Sequence, residues 1–388
     1  MRLCFISAQY LPTVGGVERY THSLAKKLTE LSHESIVITS SLEGQPARET
    51  DGAGVEVFRL PSYPLMGGRF PFIRQNARFK ALAGEVFALK PDVVVINNHF
   101  YSLSVWAARE CAKRKIPAIL ICHGTQYLMT GSALLSAAGR LYEQLCARII
   151  KKRVSRCYGV SRACSKWLET FAIASSGEIY NAVDPDELQA EAASCGEDMR
   201  ASLGLSAETP LIAYSGRLIA EKGVLQLAEA LGAIRGHIPD SAVVMAGDGA
   251  LKDKLSALGQ KGLFLLGEVS HARSLALIKQ ADALCLPTRS EGFSGVVLEA
   301  AALGTPIITT PTGGSPELIP DDRHGLLIPD MRPETIASAC VKALGDAQWR
   351  ERASKNTKTL LLGSFTWDKS ASSLLEAARL AISESEGA

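Results

Sequence analysis

The densest run of residues able to do chemistry spans positions 287–300, Pro-Thr-Arg-Ser-Glu-Gly-Phe-Ser-Gly-Val-Val-Leu-Glu-Ala. Glu291 ends the approach from an apolar strand, and Glu299 falls two turns along the helix that follows. Between them a glycine-rich turn leaves the backbone amides of Phe293, Ser294, Gly295 and Val296 at a helix start, where an anion is favoured. Ionised carboxylates only accept hydrogen bonds. One acid therefore suits sugar hydroxyls and the other ribose hydroxyls, with the amides left for phosphate. A hydrolase acid pair, or two unrelated surface glutamates, would be spelled the same way.

Four weaker elements accompany it. A strand ends at Gly216, and Arg217 and Lys222 flank a short loop before a helix that starts near Gly223. Two cations there match the charge of a diphosphate, although a solvated loop reads the same. In Pro12-Thr13-Val14-Gly15-Gly16-Val17-Glu18 the paired glycines follow the first strand, so the backbone can approach a ligand and the next helix presents N–H groups. Tight turning alone also explains Gly15 and Gly16. His123, closing the apolar run Ile121-Cys122 ahead of Gly124, can exchange a proton near neutral pH or bond a substrate hydroxyl; a hydrogen-bonded core histidine competes. In Gly247-Asp248-Gly249, Asp248 is expected to cap a helix from Leu251. The dinucleotide fingerprint G-x-G-x-x-G with its later acid is missing after the first strand, which disfavours an NAD-dependent oxidoreductase.

These residues need elements to hold them, and the pattern supplies two sets. Short runs rich in Val, Ile and Leu at 3–8, 35–39, 55–60, 93–97, 118–123 and 157–161 read as buried parallel strands separated by amphipathic helices. A second series follows at 211–216, 242–247, 263–266, 283–287, 306–309 and 325–328. Alternating strands and helices predict an α/β protein with two Rossmann-like, doubly wound domains, at 1–184 and 185–365, and a last helical segment at 366–388. Ligands of such sheets sit outside the strand C-termini.

Composition sets bounds. At 388 residues, 47% apolar and 21% charged, the chain is long enough for two cores and unlike a disordered or collagenous one. No apolar run approaches a membrane span, and the apolar stretch 3–8 is too short for a signal peptide, so a cytoplasmic protein is expected. Nine cysteines without a Cys-x-x-Cys pair argue against zinc ribbons and redox motifs; Cys4, Cys122 and Cys285 read as small core residues. The net charge of +2 hides a division: residues 1–184 carry 23 Lys and Arg against 14 Asp and Glu, whereas the remainder carries 19 against 26.

The ordered set of motifs resembles the retaining, nucleotide-sugar-dependent glycosyltransferases of family 4, which have the GT-B architecture. The resemblance rests on Glu291-x7-Glu299 with Gly-Phe between, Gly15-Gly16-Val17-Glu18, His123-Gly124, Asn181-x-Val183-Asp184, Gly216-Arg217 with Glu221-Lys222-Gly223, Gly247-Asp248-Gly249 and Gly313-Gly314-Ser315-Pro316-Glu317. It implies that Glu291 contacts the donor sugar and that Glu299 holds the ribose. Arg217 and Lys222 would neutralise the diphosphate with amides from Ser294 to Val296. Gly16 would let the first domain close over the phosphates, and His123 would bond the sugar near the reacting carbon. Backbone groups around Val269, between Gly267 and Ser270, would read the base. No Asp-x-Asp metal motif is evident, so metal independence and no cofactor are expected. The sequence departs from the family at Ser294, where Gly or Pro is common, and after His123-Gly124, where Thr125-Gln126-Tyr127 stand instead of an early Asp.

The first domain would hold a glycan or lipid-linked acceptor. Two stretches concentrate its cations. Residues 63–80 interleave Tyr63, Phe70, Phe72 and Phe79 with Arg69, Arg74, Arg78 and Lys80, as a segment at a lipid headgroup layer would. The predicted helix 134–154 places Leu134, Ala138, Leu141, Leu145 and Ile149 on one face, and residues 140–156 hold six cations against Glu143 alone. A core-packed helix with a solvated basic face is the plainer reading, and docking on anionic lipid the sharper one. Nucleic acid lacks a supporting motif. A sugar-nucleotide epimerase, or a catalytically silent nucleotide-sugar-binding subunit, are the alternatives to a transferase.

Overall fold

A computed structural model describes residues 1–13, 15–127 and 133–387, with Ala133 and Leu134 as backbone only. It divides into two compact units, Met1–Asn181 with Trp367–Ala388, and Ala182–Thr366.

The first unit contains strands β1 (Arg2–Ile6), β2 (Glu34–Ser40), β3 (Arg48–Thr50), β4 (Glu56–Leu60), β5 (Ser62–Leu65), β6 (Phe70–Ile73), β7 (Val93–Asn97), β8 (Ala118–Cys122) and β9 (Arg156–Gly159). Its helices are α1 (Gly16–Glu30), α2 (Ala77–Ala88), α3 (Ser102–Arg114), α4 (Ala133–Lys151) and α5 (Arg162–Glu169). The main sheet runs β3-β4-β2-β1-β7-β8-β9, parallel except for the edge strand β3. Leu3 pairs with Ser35 on one side and Val93 on the other. Leu3, Phe5, Val94 and Ile96 are wholly buried, as parallel strands covered on both faces require.

The second unit contains α6 (Pro185–Ser194), α7 (Met199–Ser202), β10 (Leu211–Ser215), α8 (Val224–His237), β11 (Ala242–Ala246), α9 (Lys252–Ala257), β12 (Leu263–Gly267), α10 (His271–Gln280), β13 (Ala283–Leu286), α11 (Gly295–Leu303), β14 (Ile307–Thr309), α12 (Ser315–Leu318), β15 (Leu326–Leu327), α13 (Pro333–Gly345) and α14 (Ala347–Ser364). Its sheet, β12-β11-β10-β13-β14-β15, is parallel throughout. Counted within the sheet, that order is 3-2-1-4-5-6, and the parallel strands of the first sheet repeat it. The topological switch points lie between β1 and β7 and between β10 and β13.

The closing helix α15 (Trp367–Glu386) belongs to the first unit. Trp367 meets the Tyr20 ring edge-on at 5.7 Å, and Ser370 Oγ donates to the Tyr180 carbonyl at 2.7 Å. Lys27 on α1 pairs with Asp368 at 3.3 Å.

Besides the short edge strand β3, which no apolar run marks, two elements differ from the sequence reading. Residues 62–73 form a separate antiparallel hairpin, β5 with β6, in which Pro64 faces Pro71. The two prolines remove ladder donors and mask the strand signal. Helix α4 turns a different stripe inward: Glu143, Cys146, Ala147 and Ile150 are buried, whereas Ala138, Leu141 and Leu145 are exposed and Ile149 half-buried. The core-packed reading of the leucine stripe is thus overturned; the Leu134 side chain lies outside the described residues. Eight of the nine cysteines are buried, all are free thiols, and burial pushes Cys111, Cys122 and Cys157 up to about 12.

Candidate active site

In the second unit the loops after β10 and β13 meet at the switch point. Lys222 closes a single 3-10 turn (Ala220–Lys222), and its ammonium donates to the Glu291 carboxylate. The two side chains are only 18% and 13% exposed. The loops are tied beside this pair: Arg289 N–H donates to the Glu221 carbonyl at 2.8 Å, and Thr288 Oγ1 reaches it at 3.3 Å. Gly223 adopts φ 65° against the Pro287 carbonyl, where a Cβ would collide. Arg217 is exposed on the same loop, its carbonyl accepting from the buried Tyr214 hydroxyl at 2.9 Å.

The motif glycines serve this loop assembly. A Cβ on Gly247 would strike the Gly216 carbonyl, and one on Gly314 would strike the Phe293 ring. Phe293 is buried, edge-on to Phe365 at 5.1 Å, so it can offer a ligand only its main chain. Asp248 does not cap α9. Its carboxylate takes Lys252 and the Gly249 N–H at 2.6 Å each, because α9 starts one residue later and its N-cap Leu251 has no side-chain cap.

Ser294 is the extended N-cap of α11 and is buried, without a side-chain cap bond. The first helical bond runs from Leu298 N–H to Ser294 O at 3.2 Å, so the amides of Gly295 and Val296 have no intrahelical acceptor. Glu299 lies buried one turn further on. His271 Nε2 stands 3.2 Å from its Oε1, while His271 Nδ1 stands 3.0 Å from both Glu191 oxygens. Val269 is half-buried in the loop leading to α10, whose Ser270 cap accepts from Arg273 N–H at 3.2 Å.

In the first unit His123 follows β8. Its N–H donates to Asn98 Oδ1 at 2.9 Å, and its Nε2 lies 2.8 Å from Asn97 Oδ1. Asn97 Nδ2 donates to Thr21 Oγ1 at 3.0 Å, and Thr21 donates to the Val17 carbonyl at 2.7 Å. Asn97 therefore presents its oxygen, His123 donates through Nε2, and Nδ1 is the acceptor nitrogen. Burial drives the imidazole down to about 3, so the neutral form holds at physiological pH. Tyr20 packs edge-on to it at 4.7 Å.

Gly16 leaves open space where a Cβ would stand, but the Glu18 carboxylate folds back over Gly15. The start of α1 thus carries the protein's own acid, contrary to the expected presentation of its N–H groups to an anion. Asn97, Asn98, Glu191 and His271 were not singled out from the sequence. Two amides directly after the apolar run 93–96 were a usable signal; His271 offered none, since its partners are distant in sequence. Among the described residues no group of His, Cys, Asp and Glu is arranged to hold a metal ion, and no helix is long and apolar enough to cross a membrane.

The chain matches the model of Glycosyltransferase Family 4 over residues 14–187 and that of Glycosyl transferases group 1 over residues 196–360. It is 26% identical over 395 positions to the glycogen synthase of Mycobacterium tuberculosis, covering 95% of this chain and 92% of the relative. Among solved structures, sucrose-phosphate synthase of Thermosynechococcus elongatus matches with a TM-score of 0.76 at 20% identity, covering 99% of both chains. Anabaena HepE in complex with UDP-glucose matches with a TM-score of 0.72 at 16% identity, covering 97% of this chain and 99% of that one. With both family models matched in order and the fold shared with solved GT-B enzymes along the chain, the chain belongs to the family 4 glycosyltransferases of the GT-B fold.

Proposed function

We propose that the chain is a retaining glycosyltransferase moving a hexose-type residue from a nucleoside-diphosphate sugar to a glycan or lipid-linked acceptor. The observation carrying this reading is the Lys222–Glu291 pair, held with little exposure at the switch point of the second sheet. Lys222 and Arg217 neutralise the diphosphate together with the α11 amides and stand in for a metal ion. Glu291 accepts from sugar hydroxyls, and Glu299 accepts from the ribose. The bond from the anomeric carbon to the diphosphate oxygen breaks, and the acceptor oxygen bonds that carbon on the same face. The acceptor's proton passes to the leaving phosphate oxygen. His123, whose Nε2–H is spent on Asn97, receives a sugar hydroxyl at Nδ1. The UDP-glucose bound by Anabaena HepE supports this donor class.

The first unit takes the acceptor. Its exposed α4 leucines beside Arg140, Arg148, Lys151 and Lys152 support a peripheral position on an anionic lipid surface, at the cytoplasmic face.

The test is transfer and donor hydrolysis across a panel of UDP-, GDP- and ADP-sugars, with EDTA present. Glu291→Ala and Lys222→Ala are each expected to lower turnover at least ~10²-fold, the size typical of losing one transition-state contact. Full activity in both variants would overturn the site assignment. Nucleotide binding without any turnover would favour the silent subunit, and epimerised donor without transfer would favour the epimerase.

A further inference from the structure

We infer that His271 is a positioning residue that orients Glu299 for the nucleotide ribose, with Glu191 steering His271 in turn. The inference rests on the proposal that Glu299 holds the ribose.

Three side chains from three helices form one line. Glu191 comes from α6, His271 opens α10, and Glu299 lies on α11. Both Glu191 oxygens stand 3.0 Å from His271 Nδ1, a symmetric seat that fixes the plane of the ring. The opposite ring nitrogen then meets Glu299 Oε1 at 3.2 Å. An imidazole carrying protons on both nitrogens donates to both acids at once, whereas one with a single proton satisfies only one of them.

The backbone underneath is equally determined. Asp184 caps α6 through the Asp186 and Glu187 N–H groups, with Pro185 at the first helical position. Ser270 caps α10 immediately before His271. Gln189 Nε2 donates to the Ala302 carbonyl at 3.0 Å, locking α6 onto α11 one turn from Glu299.

A glutamate has three rotatable bonds, and a ribose diol needs its carboxylate in one place. A neighbour that bonds one oxygen removes that freedom before the ligand arrives, which is the usual role of groups supporting a binding residue. The imidazole also sets a donor beside an acid that must sit close to an anionic nucleotide. His271 directly follows the 267–270 loop assigned to the base, so base and ribose recognition share one segment.

The test uses calorimetric titration with UDP, GDP and ADP, taking the tightest of the three and its 2′,3′-dideoxy counterpart. The readout is the preference for the ribo form over the dideoxy form. Glu299→Ala is expected to abolish it. His271→Ala is expected to lower it about tenfold, about 1.4 kcal/mol, with affinity for the dideoxy form within about twofold. His271→Gln, which keeps a donor, is expected to fall between, and it serves as the readout if the alanine variant does not fold. Equal loss of affinity for both nucleotides, or an unchanged preference while Glu299→Ala abolishes it, would overturn the positioning role. A preference that survives Glu299→Ala would instead overturn the ribose assignment, and this inference with it.

Discussion

Glu18 stands at the third position of α1, folded over Gly15, and burial pushes its carboxyl above the usual range. The native state then holds a proton more readily than the unfolded chain. Glu18 therefore costs nothing below the ordinary value of 4.5 and costs stability as pH rises through the window above it. Glu18→Gln keeps the shape and removes the charge. It is expected to raise the melting temperature at pH 7 by ~2–4 °C, the equivalent of ~1 kcal/mol in a unit of this size, and to match the parent at pH 4. A lower melting temperature at pH 7 would show that the helix start needs the charge. At this scale the sequence was legible where partners are close along the chain. Glu291 and Glu299 are eight residues apart, and one helix carries the second to its place. Glu191, His271 and Glu299 meet only after α6, α10 and α11 pack, and Asn97 reaches His123 only through the pairing of β7 with β8. No local pattern encodes such contacts.

Helix α4 shows how an element can be read correctly and faced wrongly. Its period placed 138, 141 and 145 on one stripe, but burial followed the neighbouring stripe, where Cys146, Ala147 and Ile150 fit under the helix. Leu141 at 63% exposure and Leu145 at 48% are then left to solvent beside Arg140 and Arg148. The β5–β6 hairpin adjoins this helix, because Phe70 meets Tyr142 at 5.9 Å and Tyr101 at 5.3 Å. It adds Tyr63, Leu65, Met66 and Phe72 as exposed apolar groups, with Arg74 stacked 5.6 Å from the Tyr63 ring. Apolar side chains among cations are the composition that binds an anionic bilayer surface, with ~1 kcal/mol from each cation near it. The protein is expected to pellet with phosphatidylglycerol vesicles at low salt and to leave them as salt rises. Leu141→Glu with Leu145→Glu should abolish pelleting while leaving nucleotide binding by the second unit intact. Equal recovery with neutral phosphatidylcholine vesicles would remove lipid charge from the account.

Across the whole molecule the two sheets share one strand order, yet their titrating groups differ. This makes their responses to acid differ too. The repeated alternation of strand and helix was visible in the sequence because parallel strands are nearly continuous apolar runs. The pairing order was not, since it depends on which strands lie side by side. The first unit holds two neutral imidazoles, His99 buried and His123 half-buried, at the ends of adjacent central strands. His99 follows β7, with neither ring nitrogen hydrogen-bonded among the described residues and Glu143 3.9 Å away, and burial drives it down to about 4. His123 follows β8 and is driven down to about 3. A histidine driven down binds its proton first in the unfolded chain. Its stabilisation is full above the ordinary value of 6.5 and is lost as pH falls from there toward the native value. By pH 5 that loss is about 2 kcal/mol for each of the two rings. Native-state hydrogen exchange, corrected for intrinsic rates, reads the opening free energy of each strand separately. Between pH 7 and pH 5 the amides of β7 and β8 are expected to lose protection, while those of β10 and β13 keep theirs. His99→Phe, which fills the same space without a titrating nitrogen, should halve the loss in the first unit. An equal decline in both sheets, or none in either, would show that these two rings do not govern the acid response.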